Sequence, residues 1–233
     1  MVGKFFKKFY MSIIFLFLYA PIAVLMIYSF NDSRSRGSWG GFTLKWYKQL
    51  FQDRQIMSAL YNTILIAVLS SIIATVIGTA AAIGIHNMKK LPKRLVMNLT
   101  YLPVLNPDII TGISLMLLFI FMNMKLGFFT MLLAHITFNI PYVILSVLPK
   151  LKQLNKHLYE AALDLGATPW YAFRQVILPE LMPGIITGCL LAFTLSIDDF
   201  VISFFTTGAG VSNLSINIRM SRDNTKKGRE NAA

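Results

Sequence analysis

The stretch LYNTILIAVLSSIIATVIGTAAAIGI, residues 60–85, decides the class of fold. A helix needs about 20 predominantly apolar residues to cross the hydrocarbon core of a bilayer, and this stretch is longer than that. It contains no Asp, Glu, Lys or Arg, so it does not suit the surface of a soluble protein. The stretch therefore predicts a transmembrane helix, and comparable runs lie on both sides of it.

The composition of the whole chain indicates an all-α polytopic membrane protein. Of the 233 residues, 55% are hydrophobic and only 14% are charged, which is too few charges to cover a soluble domain. Cys189 is the single cysteine, which excludes a disulfide-based scaffold. A net charge of +12 suggests nucleic acid binding in a soluble protein. In a membrane protein, basic loops instead set the orientation and contact anionic lipid, so we expect lipid and no nucleic acid as partner.

Five runs are apolar enough to cross the membrane, which predicts about five transmembrane helices. The third run contains Pro103 and Pro107 and would be about 45 Å long as one straight helix. We therefore expect a kink or a helix restart near Asn106-Pro107-Asp108. Small residues between Gly78 and Gly84, in the second run, predict close helix packing. The runs are residues 10–30, 55–88, 95–124, 126–149 and 181–205.

The basic residues predict the orientation of the chain. With the N-terminus inside, the inner segments before residue 180 carry eleven Lys and Arg residues and the outer segments carry six. Basic loops favour the cytoplasmic side, so we expect the N-terminus there. The first run is longer than the apolar region of a signal peptide and predicts an uncleaved anchor. The expected divisions are a first helix with an outer loop (1–55), a transmembrane domain (56–215) and a polar tail (216–233).

Residues 150–180, between the fourth and fifth runs, predict a folded cytoplasmic loop. The segment is too polar to cross the membrane. A helix from about Lys156 is expected to end at Gly166, a residue that suits the left-handed backbone of a helix end. Thr168 then caps a second helix that has a proline at its first position, and Pro179 ends it. The apolar residues of this second helix predict a protein partner.

Six residues of this loop resemble the EAA loop of importer-type ABC permeases. The pattern is Glu-Ala-Ala, a glycine four positions later, and Leu-Pro, with Val176 where that family usually has Ile. The resemblance implies the type I ABC importer permease fold, which is MetI-like, and a loop that docks in a cleft of an ATP-binding subunit. The implied coupling residues are Glu160, Ala161, Ala162, Gly166, Leu178 and Pro179.

Motifs outside the loop resemble the permease subunits of spermidine/putrescine importers of the PotC type, up to about residue 215. The resemblance implies polyamine transport across the bacterial cytoplasmic (inner) membrane, with a second permease subunit, the ATP-binding subunit and an extracytoplasmic substrate-binding protein. The chain has no Gly-Lys-Thr phosphate loop and no histidines at metal-ligand spacing. We therefore expect a non-enzymatic transport subunit without cofactor or metal, with ATP hydrolysis in a separate subunit. The motifs are Tyr19-Ala20-Pro21, Ser29-Phe30-Asn31, Gly41-Phe42-Thr43 with Trp46-Tyr47, Asn106-Pro107-Asp108 and Ser196-Ile197-Asp198-Asp199.

Three carboxylates inside the predicted spans are candidates for a substrate pathway. A charged side chain in a span costs about 2.5–3.5 kcal/mol, and a polyamine is a chain of ammonium groups that carboxylates and aromatic faces bind. Asp198 and Asp199 point about 100° apart on a helix, so one is expected to face the pathway and the other an interface or a packing partner. Asp108 either lines the pathway or caps a helix that restarts after Pro107. For His135, in the fourth run, we expect an interhelical hydrogen bond.

Two alternatives stay open from the sequence. The same fold also suits a permease for another small solute, such as thiamine or iron. A second alternative is a truncated membrane product that does not transport. The related family has a sixth span after an outer loop, whereas this chain ends in a polar segment, Arg219 to Ala233. On that interpretation we expect a missing span, reduced assembly and weak or absent transport.

Overall fold

Helices make up nearly all of the regular structure. The computed structural model describes residues 2–33 and 37–208. Within these residues the backbone forms helices and one isolated antiparallel bridge, between Asn31 and Phe42, which agrees with the predicted all-α class. The chain divides into two compact units, Met1–Met57 and Ser58–Ala233, and each is described by itself. The predicted polar tail, and with it the expected loss of a sixth span, lies outside the described residues.

The first unit contains α1 (Val2–Tyr28) and α2 (Lys45–Gln52), which are joined by a loop organised around Asn31. The Asn31 side chain, 2% exposed, accepts a hydrogen bond from the Gly40 N–H at 2.7 Å and donates one to a loop carbonyl at 2.8 Å. The Asn31 backbone carbonyl accepts from the Trp46 indole N–H at 2.8 Å. These bonds satisfy polar groups that would otherwise be buried without partners, so they hold Ser38, Gly40 and Trp46 against Asn31.

The remaining helices belong to the second unit, apart from the first turn of α3. Four helical segments of the described chain are long and apolar enough to cross a membrane, and the bent pair α4 and α5 is a fifth candidate. This agrees with the predicted number of spans. The helices are α3 (Arg54–Asn87), α4 (Lys90–Leu105), α5 (Asp108–Phe121), α6 (Phe128–Gln153), α7 (Lys156–Asp164), α8 (Pro169–Ala172), a π-helical turn (Phe173–Ile177), α9 (Leu178–Asp198) and α10 (Val201–Thr206).

The predicted restart at Asn106-Pro107-Asp108 is confirmed, and the change of direction is larger than a kink. α4 ends at Leu105, α5 begins at Asp108, and the pair is bent by 109°. Pro107 lacks an N–H and disfavours a helical backbone at Asn106, whose ψ is 146°. The two helices are about 24 and 21 Å long at 1.5 Å per residue, so neither alone crosses a core of about 30 Å.

The predicted end of the second loop helix at Pro179 is wrong, because the helix continues into the fifth span. In the π-helical turn that joins α8 to α9, the Leu178 N–H donates to the Phe173 carbonyl, five residues earlier. Pro179 is the second residue of α9 and directly follows the π-helical turn, and a local π adjustment of this kind accommodates a proline within a continuous membrane helix. As a result, Pro169–Asp198 is one candidate span of 30 residues.

The predicted fifth span over residues 181–205 is interrupted near its end. α9 stops at Asp198, and Asp199 has an extended backbone with a ψ of 121°. The Asp199 carboxylate accepts hydrogen bonds from the N–H groups of Ile202, at 3.1 Å, and Ser203, at 2.8 Å. A short acidic side chain that bonds to the following backbone in this way competes with a continuous helix. The break therefore coincides with a side chain that bonds to the backbone beyond it.

Close approach of helices around α6 builds the core of the second unit. A Cβ added at Gly188 of α9 would lie 3.2 Å from the Val143 Cα, and one added at Gly78 of α3 would lie 2.8 Å from the Val143 side chain. The predicted packing of small residues on α3 is confirmed at Gly78 and at Ala82, which is fully buried. It is wrong at Gly84, where an added Cβ would meet nothing within 4 Å.

Candidate functional site

A tight turn ends the first helix of the predicted loop. α7 stops at Asp164, and Gly166 has a φ of +86°. The Gly166 N–H donates to the Leu163 carbonyl at 2.9 Å, and the Ala167 N–H donates to the Ala162 carbonyl at 3.1 Å. This pair of bonds is the Schellman motif, which satisfies carbonyls at the end of a helix. The left-handed backbone expected at Gly166 is confirmed, and glycine adopts it without the penalty that a Cβ brings.

Side-chain caps begin both helices of the loop. The Asn155 side chain accepts from the His157 N–H at 3.0 Å at the start of α7. The Thr168 hydroxyl accepts from the Tyr171 N–H at 3.3 Å at the start of α8, and Pro169 is the first residue of that helix. The predicted Thr168 cap is confirmed. Each cap satisfies a donor that a helix start leaves unpaired, so local signals fix this helix–turn–helix.

The two loop helices leave large apolar side chains exposed, and we call Leu158, Leu165, Trp170 and Tyr171 the α7–α8 surface. Leu165 is 89% exposed and Trp170 is 69% exposed. An adjoining groove has a volume of about 560 Å³. Clustered apolar side chains beside a groove are typical of a protein-binding surface. The groove is lined by Ala162, Leu165, Gly166, Ala167, Thr168, Tyr171 and Val176.

The structure divides the six predicted coupling residues into two sets. Four belong to α7 and its terminal turn, on or beside the groove, and the other two open α9 beyond the π-helical turn. The two sets are separated because the π-helical turn extends the helix from α8 through Leu178 and Pro179 into α9. The first set is Glu160 and Ala161, exposed on α7, with Ala162 and Gly166, which line the groove; the second set is Leu178 and Pro179.

The two adjacent acids at the end of α9 have different surroundings. Asp198 is the last residue of α9 and is exposed. The Asp199 side chain is 6% exposed, and its Oδ2 lies 3.6 Å from Nε2 of His135. The two carboxylates therefore differ in exposure, and this difference does not come from helical spacing, because α9 ends at Asp198 and Asp199 is extended. Asp199 stabilises the start of α10, whereas Asp198 is accessible to a ligand or a partner.

Asp108 lies at the other helix break. It is exposed in the first turn of α5, where a carboxylate interacts favourably with the helix N-terminus. One turn later α5 packs on α10, because a Cβ at Gly112 would lie 3.4 Å from the Ile202 Cα. The helices that restart after the two breaks therefore lie side by side.

A chain of buried hydrogen bonds links four helices around His135. Its ring Nδ1 lies 3.2 Å from the Ser196 Oγ on α9, and its Nε2 lies 2.9 Å from the Ser203 Oγ on α10. The Ser196 Oγ also accepts from the Asn139 amide at 2.8 Å and lies 3.0 Å from the Ser70 Oγ on α3. These five residues are 0–2% exposed. The interhelical hydrogen bond predicted for His135 is confirmed.

Comparison with known proteins identifies the family. Residues 74–227 match the family described as binding-protein-dependent transport system inner membrane component. The chain belongs to this permease family. Its helical second unit therefore has the MetI-like fold of ABC importer permeases, as predicted, and the chain is a multi-pass membrane protein and a transport component.

Several individual permeases are similar over most of the chain. The spermidine/putrescine transport system permease protein PotC of Escherichia coli K12 is 38% identical over 218 residues, which cover 94% of this chain and 83% of PotC. The protein of the same name from Haemophilus influenzae is 35% identical over 214 residues, 92% of this chain and 83% of the relative. The putrescine transport system permease protein PotI of E. coli K12 is 40% identical over 208 residues, 86% of this chain and 74% of PotI.

Sequence reasoning missed most of the polar network of this permease. Only His135 was recognised, because an ionisable side chain in an apolar run is conspicuous. The hydroxyl and amide partners carry no local signal, since serine and asparagine are common in helices of every kind. Their roles depend on contacts between residues as far apart as 126 positions. The missed residues are Ser70, Asn139, Ser196 and Ser203.

Proposed function

We propose that the chain is a permease subunit of an ATP-driven importer for polyamines, spermidine and putrescine. The observation that carries this proposal is the similarity, over most of the chain, to permeases named for spermidine/putrescine and for putrescine transport. Exposed acids at two helix breaks, Asp108 and Asp198, support it. A helix break inside a span leaves backbone and side-chain polar groups that only a cavity or a protein partner tolerates in a membrane.

The α7–α8 surface is proposed to bind the ATP-binding subunit. Leu165 and Trp170 are too exposed for a side chain that belongs to the core, and the neighbouring groove has room for side chains of a partner. Gly166 is proposed to hold the turn that presents this surface. ATP hydrolysis is proposed to occur in that separate subunit and to reach the spans through the continuous helix from Pro169 to Asp198. The proposed coupling residues are Glu160, Ala161, Ala162, Gly166, Leu178 and Pro179.

Asp108, Asp198 and Asp199 are proposed to serve the substrate pathway. Carboxylates neutralise ammonium groups and accept charge-assisted hydrogen bonds from them. Asp198 and Asp108 are exposed, which supports direct contact with the substrate. Asp199 is buried, which supports an indirect role through the geometry of the break.

The proposed assembly contains a second permease subunit, the ATP-binding subunit and an extracytoplasmic substrate-binding protein, in the lipid of the bacterial cytoplasmic membrane. The N-terminus is proposed to lie inside, which puts the α7–α8 surface in the cytoplasm, where ATP is available. The basic loops are proposed to contact anionic lipid rather than nucleic acid. We propose the divisions 1–55, 56–215 and 216–233 as an anchor with an outer loop, a transmembrane domain and a tail.

Uptake of radiolabelled spermidine tests this function. The chain would be expressed with its three partner proteins in cells that lack other polyamine importers. We expect ATP-dependent uptake that excess putrescine inhibits and that excess thiamine or ferric iron leaves unchanged. Uptake of labelled thiamine or iron in place of spermidine would support a permease for another solute. No uptake of any of them, with normal protein level, would contradict the transport assignment.

A further inference from the structure

The break between α9 and α10 needs support from outside the two helices. α10 spans only Val201–Thr206, and a helix this short is not stable alone. The Asp199 carboxylate orders its first turn through the Ile202 and Ser203 N–H groups. Those bonds lie within one segment of the chain, so they leave the direction of α10 relative to α9 undetermined.

His135 bonds to both sides of this break. Its ring reaches Ser196 before the break and Ser203 after it. Two neighbours on α6 reach only one side each: Asn139 donates to Ser196, and the Thr130 hydroxyl donates to the Thr206 carbonyl at 2.8 Å. Among the described side chains of α6, His135 is thus the one whose hydrogen bonds reach both α9 and α10.

The partners around the ring suit a proton on Nε2, an assignment made from the hydrogen-bond network. Nε2 faces the Ser203 Oγ at 2.9 Å and the acceptor-only carboxylate of Asp199 at 3.6 Å, and a proton there points toward both oxygens. With this tautomer, Nδ1 accepts from the Ser196 hydroxyl, whose oxygen accepts from the Asn139 amide at 2.8 Å. The bonds then run in one direction, from Asn139 on α6 through Ser196 on α9 and the ring to Ser203 on α10.

We infer that His135 is a positioning residue that holds α9 and α10 at a fixed angle across the Asp199 break, and thereby holds Asp198 in place at the end of α9. The part that concerns Asp198 rests on the proposed function, because Asp198 is the exposed acid proposed to contact the substrate. The ring itself is 1% exposed and does not meet the substrate. Its contribution is the orientation of the two helices that flank the break.

Spin labels on the two helices test the inference directly. Ile186 on α9 and Phe204 on α10 are 52% and 50% exposed, and each would be replaced by Cys in a Cys189→Ser background. In the purified, reconstituted complex, pulsed electron paramagnetic resonance is expected to give one narrow distance. With His135→Phe, which keeps a ring but loses both bonds, the distance distribution is expected to broaden.

Two further variants keep the test decisive. Ser203→Ala removes only the bond on the α10 side and is expected to broaden the distribution, even where His135→Phe fails to fold. Thr137→Val is the matched control, because Thr137 lies two residues from His135 on α6, valine has nearly the same shape, and the lost hydroxyl donates to the Leu133 carbonyl within α6. It is expected to leave the distance narrow. An unchanged distribution with Ser203→Ala, or equal broadening with Thr137→Val, would overturn the inference.

Transport kinetics separate this inference from the proposed function. In Ser203→Ala and His135→Phe we expect the apparent KM for spermidine to rise about tenfold, which corresponds to a loss of about 1.4 kcal/mol of binding free energy, at unchanged protein level. The distance measurement requires no substrate. Broadened distances together with no spermidine uptake by the wild type would remove the polyamine assignment and leave the role of His135 standing. Normal uptake with unchanged distances would remove the role of His135 and leave the polyamine assignment standing.

Discussion

The α7–α8 loop and the His135 network are held in place in opposite ways. In the loop, caps and turn bonds join residues that are close in sequence, such as Thr168 with Tyr171 and Ala162 with Ala167. In the network, Ser196 meets Ser70, 126 positions away. The loop exposes its apolar side chains, whereas the network is buried. The surface proposed to bind a partner is therefore held by contacts between sequence neighbours, whereas the break near the proposed pathway depends on how the whole bundle packs.

This difference separates two kinds of defect. A change in the loop should uncouple the permease from its partner without unfolding the bundle, because few tertiary contacts depend on it. A change in the network should loosen the bundle itself, because each interhelical hydrogen bond in a membrane protein contributes about 0.6 kcal/mol on average.

The largest effect is expected from Gly166→Val. A left-handed backbone usually costs a residue with a side chain about 1–2 kcal/mol. A β-branched residue at a φ of +86° is strained by more than that. We expect near-complete loss of spermidine-stimulated ATP hydrolysis and of co-purification of the ATP-binding subunit, at normal protein level. Gly84→Val is the matched control, because an added Cβ meets nothing within 4 Å at either glycine. Of these two glycines, only Gly166 has a positive φ. Equal activity of the two variants would contradict the role of the turn.

A substantial effect on transport alone is expected from Asp198→Asn. The change removes one exposed charge with little change of shape. A hydrogen bond to a charged group contributes about 1.5–3 kcal/mol, so a loss in uptake of about tenfold or more is expected. Labelled spermidine uptake at low substrate concentration measures it. Asp198→Glu keeps the charge and is expected to retain most of the uptake. Normal uptake by Asp198→Asn would show that this acid lies outside the pathway.

Asp199→Asn is expected to affect stability first. The amide keeps one acceptor but turns an N–H donor toward a backbone N–H of α10, which costs about 1–3 kcal/mol for the buried group left unpaired. A thermal melt of the detergent-purified protein is expected to shift down by several degrees. Asp198→Asn, one residue earlier and exposed, serves as the control and is expected to melt like the wild type. A melt of Asp199→Asn that matches the control would mean that the cap contributes nothing.

The smallest effect is expected from His157→Ala in the loop. Nδ1 of His157 lies 3.2 Å from Oε2 of Glu160, and the two side chains are 84% and 68% exposed. Exposed side-chain pairs of this kind contribute about 0–1 kcal/mol, so the melting temperature is expected to stay within about 4 °C of the wild-type value. A larger shift would show that the loop, like the network, depends on its side-chain pairs.

The same contrast explains what the sequence predicted. Gly166 and Thr168 were recognised because the signals for a turn and a cap act on neighbouring residues. Pro179 misled the prediction, since the π-helical turn that accommodates it has no simple sequence pattern. The break at Asp199 was missed because an acidic residue in a predicted span was interpreted as a functional residue and not as a cap for a further helix. The partners of His135 depend on how α3, α6, α9 and α10 pack together, which no local pattern determines.

Crosslinking from the α7–α8 surface tests most directly whether this surface binds the ATP-binding subunit. Cysteine would replace Leu165, 89% exposed on that surface, and separately Leu190, 61% exposed on α9, each in a Cys189→Ser background. A short thiol–amine crosslinker would be added to the assembled complex in membranes. The predicted result is a covalent product with the ATP-binding subunit from Leu165→Cys and none from Leu190→Cys. No such product from Leu165→Cys in a complex that hydrolyses ATP would contradict the claim.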